Sequence, residues 1–94
     1  MININGASTL TITAANNQIY SVVYENLTTV DIFNHTESDI YVNSDGAFSE
    51  KNGVGNYLTI PAGGSYNGFR PDIGGSICIR ANSAGKISVV KKRY

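Results

Sequence analysis

The chain has 94 residues, 41% of them hydrophobic and only 15% charged, and its seven basic and seven acidic side chains cancel. That length holds one domain and not two, and the apolar share with six Tyr and three Phe suffices for a core, which excludes a disordered chain. A single cysteine, Cys78, excludes an intramolecular disulfide and a Cys-based zinc site, so packing or neighbouring molecules must hold the fold.

Residues 1–8 (MININGAS) are rich in Asn and read as an N-terminal arm. Ile2 and Ile4 alternate with Asn, so the arm can add to a sheet edge, its own or a neighbour's. The first residues lack the basic and apolar regions of a signal peptide, and no apolar run approaches the roughly 18 residues of a membrane helix. Synthesis in the cytoplasm and no membrane partner are therefore expected.

Residues 9–90 read as one β-sandwich domain. Residues 9–14 (TLTITA) place Leu10 and Ile12 on one face, and Asn16 with Asn17 marks a turn. Residues 19–24 (IYSVVY) set Tyr20, Val22 and Tyr24 against Ile19, Ser21 and Val23, as in a central strand or one covered by a partner. Residues 28–34 put Val30 and Ile32 inward with Asp31 and Phe33 behind, residues 35–38 are turn material, and residues 39–43 resume with Ile40 and Val42 inward. That pair is expected to form a hairpin.

Residues 44–56 carry three glycines and few large apolar groups, and are expected to form the longest loop. Residues 57–69 (YLTIPAGGSYNGF) follow as a second expected hairpin: Leu58 and Ile60 alternate with Thr59, Pro61 ends the ladder, and Gly63 with Gly64 supplies the reversal. After a turn at residues 70–75 (RPDIGG), residues 76–81 turn Ile77, Ile79 and Ala81 inward and Cys78 and Arg80 outward. A turn at residues 82–85 leads to a closing strand, residues 86–90, with Ile87 and Val89 inward, and residues 91–94 form a basic tail. About eight short strands with no helical period indicate an all-β fold, a single antiparallel β-sandwich or small barrel of jelly-roll type.

Signals of chemistry are few. His35 lies near Glu37 and Asp39, but a general base must be oriented by a third group beside a nucleophile, and this cluster falls in a turn. Cys78 next to Arg80 reads as a packed free cysteine, and spacing alone supports no dyad with His35. The NSDG stretch at residues 43–46 fails as a calcium loop, because Tyr41 and Asn52 occupy the first and last ligand positions; a turn closed by Asn43 or Asp45 on its own backbone explains it. The sequons beginning at Asn26 and Asn34 have meaning only in a secretory pathway. No glycine pattern matches a phosphate-binding loop. No catalytic residue, metal ligand or cofactor is assigned.

Charge is uneven along the chain. Residues 1–69 hold Glu25, Asp31, Glu37, Asp39, Asp45 and Glu50 against Lys51, whereas residues 70–94 hold Arg70, Arg80, Lys86, Lys91, Lys92 and Arg93 against Asp72. Pairing within one sheet explains this, and so does docking between copies or on an acidic neighbour. Three charges at the tail are too small a footprint to argue for nucleic acid. The tyrosines fit core or interface positions, with a sugar-stacking platform of Tyr41, Tyr57 and Tyr66 as the rival.

Taken together, IYVNSDG, the glycine-rich loop, YLTIPAGGSYNGF, RPDIGGSICIRANSAG and the final ISVV resemble the small β-sandwich virion structural proteins of tailed bacteriophages, over residues 30–90. That resemblance implies a non-enzymatic role in the virion, as capsid decoration, head fibre or head-tail subunit, with the major capsid protein, other virion proteins or further copies of itself as partners. Interface candidates on this reading are Ile2, Ile4, Phe33, Tyr41, Tyr57, Tyr66, Val90, Lys91, Lys92 and Arg93. The alternative is a carbohydrate- or host-receptor-binding sandwich of a phage tail or fibre.

Overall fold

A computed structural model describes residues 1–24, 28–71 and 76–92; Arg93, Asn26 of the first sequon, and residues 72–75 of the expected RPDIGG turn lie outside them. Eleven strands are present among the described residues and no helix: β1 (Ile2–Asn5), β2 (Thr9–Ala14), β3 (Ile19–Val23), β4 (Thr29–Thr36), β5 (Ile40–Asn43), β6 (Glu50–Lys51), β7 (Val54–Gly55), β8 (Leu58–Ile60), β9 (Ser65–Phe69), β10 (Ser76–Ala81) and β11 (Gly85–Lys92). A five-stranded sheet, β1-β3-β10-β5-β8, packs on a four-stranded sheet, β2-β11-β4-β9, and β6 pairs with β7 alone. From β2 to β5 and from β8 to β11, consecutive strands alternate between the sheets. This is the winding of an eight-stranded jelly roll, with β1 added at one edge and the β6-β7 hairpin inserted between β5 and β8.

The core follows the period-two alternation. Val22, Ile40, Val42, Ile60, Ile77 and Ile79 of the first sheet face Ile12, Val30, Ile32, Ile87 and Val89 of the second, all buried. Each such side chain contributes about 1.5–3 kcal/mol when removed from water. Ile4, Leu10, Leu58 and Phe69 pack around the rim.

Two expected hairpins are not hairpins. β4 and β5 belong to different sheets, and so do β8 and β9, so both connections are arches that cross the core rather than turns between paired strands. The strand segments and their inward residues are where alternation put them; their partners are not. An arch and a hairpin share the same glycine and proline signals, and the inner faces of both sheets are apolar, so alternation alone does not distinguish them.

Asn34 holds the two arches together. Its side chain is fully buried on β4, where its amide donates to the carbonyls of Ser38 (2.8 Å) and Ile60 (3.0 Å), and its Oδ1 accepts from the backbone N–H (2.9 Å) and hydroxyl (2.7 Å) of Thr36. Its own backbone N–H donates to the Gly64 carbonyl, and its carbonyl accepts from Gly63, both at 2.9 Å. The amide thereby uses all four of its hydrogen-bonding positions, the condition for burying it. Burial also closes the Asn34 sequon to glycosylation in the folded chain.

The arm adds to an edge of its own sheet, one of the two placements expected for it, and the C-terminal end and β4 differ from expectation. The arm is part of the sheet: Ile2 to Asn5 run parallel to Tyr20 to Val23, because the chain leaves β1, crosses to the other sheet as β2 and returns beside itself as β3. The closing strand runs on to Lys92, so Lys91 and Lys92 are ladder residues opposite Val30 and Thr29, not a free tail. β4 likewise extends through His35 to Thr36, so His35 lies on a strand rather than in a turn.

Candidate functional site

The described residues hold no group of three or more His, Cys, Asp or Glu side chains placed to bind a metal ion. His35 is exposed on the outer face of the four-stranded sheet, stacked on Phe33 with ring centroids 6.4 Å apart, whereas Cys78 is buried on the outer face of the other sheet. The core lies between them, so no Cys–His dyad forms. Cys78 is covered by the segment around Gly46, at which an added Cβ would stand 3.3 Å from its sulfur.

One concave site opens on the outer face of the five-stranded sheet, and register builds it. Arg80 of β10 lies directly opposite Tyr41 of β5, and Tyr41 lies opposite Thr59 of β8. Tyr57 is two residues before Thr59 and therefore shares its face, diagonal to Tyr41, within reach of a large side chain. The two tyrosine rings meet at 4.1 Å between centroids with planes inclined by 31°. Asn82, two residues beyond Arg80, accepts from the Arg80 Nε at 3.5 Å and donates to the Asp39 carbonyl at 2.7 Å.

The remaining wall comes from the segment expected to be a loop. Asn52 (φ 54°) and Gly53 (φ 78°) both take the left-handed conformation of a two-residue type I′ turn, which an Asn-Gly pair adopts readily and which joins β6 to β7. The base of this hairpin is pinned by asparagines: Asn56 donates to the Ala47 carbonyl (2.6 Å) and accepts from the Ser49 N–H (3.0 Å), while Asn43 accepts from Gly46 (2.9 Å) and donates to Ala47 (3.1 Å). Asp45 accepts from the Ala47 N–H at 3.1 Å, so the NSDG stretch is the backbone-capping turn anticipated from its residues.

This hairpin brings Phe48 to 6.1 Å from the Tyr57 ring and Glu50 to within 3.3 Å of the Tyr57 hydroxyl, which donates to it. Burial, then the Glu50 charge and Tyr41, push the Tyr57 hydroxyl above its ordinary value of 10.0. The resulting pocket, about 310 Å³, is lined by Tyr41, Phe48, Glu50, Tyr57, Arg80 and Asn82 among others. It can bind and orient a small ligand.

The interface candidates are dispersed. Tyr41 and Tyr57 are in the pocket, but Tyr66 is on β9 of the other sheet, 39% exposed and edge-on to Phe69 at 6.3 Å, so the three tyrosines form no common platform. Ile2 is 45% exposed at the β1 edge, while Ile4 packs against the core. Phe33 and Val90 are half-buried on the outer face of the four-stranded sheet. Lys91 is exposed, and Lys92 forms an ion pair with Asp31 at 3.1 Å. Arg80, Asn82, Phe48 and Glu50 were not singled out from sequence; the Asn-Gly pair at 52 and 53 was the local signal for the wall that carries two of them.

Comparison with protein-family models, with curated proteins and with solved structures finds no match. The class defined by fold and site is thus an eight-stranded jelly roll with an inserted hairpin that walls a small aromatic pocket.

Proposed function

We propose that the chain is a non-enzymatic structural subunit of a phage virion, a capsid decoration or auxiliary protein that attaches to the major capsid protein, to other virion proteins or to copies of itself. The observation that carries this reading is the jelly-roll winding, an architecture shared by viral capsid and lectin domains; the support is by architecture, and the resemblance of residues 30–90 to phage virion proteins is the reason for proposing the first. The exposed edge at β1 supplies a means of attachment. One side of Ile2 to Asn5 is paired with β3, and among the described residues no strand pairs with the other, with Met1 65% and Ile2 45% exposed beside it. Such an edge accepts a further strand through main-chain hydrogen bonds.

The test is add-back to particles grown from a phage lacking the gene. Purified protein is expected to co-sediment with these particles to saturation, and an Asn3→Pro variant, which blocks the edge, to lose most of that binding while remaining folded. Wild-type protein that stays at the top of the gradient would overturn the proposal.

A further inference from the structure

We propose that the pocket between the β6-β7 hairpin and the outer face of the five-stranded sheet is a binding site for an uncharged pyranose sugar. This goes beyond the virion role and does not depend on it.

The hairpin is the first reason. The jelly roll closes without it, and its residues Glu50, Lys51 and Val54 are exposed, so it adds nothing to the core. It is nevertheless fixed by a left-handed turn and by the Asn43 and Asn56 hydrogen bonds. What this ordered insertion builds is the wall of the pocket, through Phe48 and Glu50.

The lining chooses the ligand. Tyr41, Phe48 and Tyr57 supply half-buried ring surface, suited to a molecule with one apolar face. Around the rings stand an obligate acceptor, the Glu50 carboxylate, and an obligate donor, the Arg80 guanidinium, which pairs with no carboxylate among the described residues. An anion would meet Glu50, and a cation would meet Arg80. A vicinal diol satisfies both, one hydroxyl donating to Glu50 while its neighbour accepts from Arg80. The C–H face of the same ring then lies on the tyrosines. A volume of about 310 Å³ is at the low end of small-molecule sites, which run from roughly 300 to 1,000 Å³, and so suits a single ring.

The experiment is an amide NMR titration of the full chain with methyl β-D-glucopyranoside, methyl β-D-galactopyranoside and methyl α-D-mannopyranoside, with glucuronate and glucosamine as charged counterparts. At least one neutral glycoside is expected to shift the amides around Tyr41, Glu50, Tyr57 and Arg80 in a saturable manner, more tightly than either charged sugar. Tyr57→Ala and Arg80→Met should each weaken that binding by about tenfold or more. The spectrum itself reports folding, and Glu50→Gln, on an exposed residue, replaces Tyr57→Ala if that variant unfolds. The proposal is overturned if no neutral glycoside shifts these amides, if a charged sugar binds more tightly, or if folded pocket variants bind as wild type does. Particle attachment is read in a separate assay, so failure of one proposal leaves the other standing.

Discussion

Asn34 is the residue on which most of the chain's geometry converges, because its one side chain bonds to three different segments around the arches. Asn34→Ala would remove the donor to the Ile60 carbonyl and the acceptor for the Thr36 N–H, while the Ser38 carbonyl keeps its bond from the Thr36 hydroxyl at 2.8 Å. Leaving these two buried groups unpaired costs about 1–3 kcal/mol each, so a loss of at least about 2 kcal/mol is expected in urea unfolding. Thr36→Val, which removes only the hydroxyl, should cost less. Asp31 gives a pH signature. The Gly68 N–H donates to its carboxylate at 2.9 Å across a β-bulge in the β4-β9 ladder, at a glycine with φ 77°, and Lys92 stands on the other oxygen. These partners, the Gly68 bond foremost, outweigh burial and hold the carboxyl below its ordinary value of 3.8. A depressed pKa stabilises the fold fully above the unfolded value and loses that contribution as pH falls through the folded one. Asp31→Asn should therefore flatten the acid limb of stability below about pH 4, measured by thermal unfolding against pH. Burial conversely raises the Tyr24 hydroxyl above 10.0, and Tyr57 is raised too. Both should ionise above the ordinary tyrosine value in an absorbance titration, and the stability they contribute, complete below pH 10, should be lost as pH rises through their folded values.

At the scale of the element, residue alternation was legible because it is local. Tyr20 and Val22, Ile40 and Val42, Ile77 and Ile79, and Ile87 and Val89 all turn inward as their spacing indicates. Partner choice was not legible: β8 runs into β9 through Pro61, Gly63 and Gly64, the letters of a hairpin, yet pairs with β5 instead. The deciding contacts, such as Gly63 to the Asn34 carbonyl, link residues far apart in sequence. The true two-residue hairpin lies at Asn52 and Gly53, within the stretch read as loop. Gly53→Val should strain that turn and raise amide exchange across β6 and β7 while leaving the midpoint of global unfolding within about 0.5 kcal/mol, since nothing in the core touches it. Gly55→Ala acts on the pocket directly: an added Cβ would fall 2.7 Å from the Tyr57 ring, so this change should move Tyr57 and lower sugar affinity with little loss of stability.

Over the whole molecule, the jelly roll explains how an unstapled chain stands with extents of only 34 × 26 × 22 Å. Two sheets share one core, and the β1 edge and the outer-face pocket are the two open features to which the proposals assign a role. Two of the seven residues that line the pocket were in view from sequence, since Tyr41 and Tyr57 were picked out as interface residues. The rest required the β10-β5-β8 order to bring Arg80 beside them and the inserted hairpin to bring Glu50. The opposite charges of the two halves of the chain meet at the pair between Lys92 and Asp31, which accounts for part of that asymmetry within one molecule. The most direct measurement is quantitative peptide mass spectrometry of gradient-purified, salt-washed particles of the phage proposed to encode this sequence. The proposed structural role predicts this chain at a fixed ratio to the major capsid protein; its absence from the particles, with all of it left in the lysate, would contradict that role.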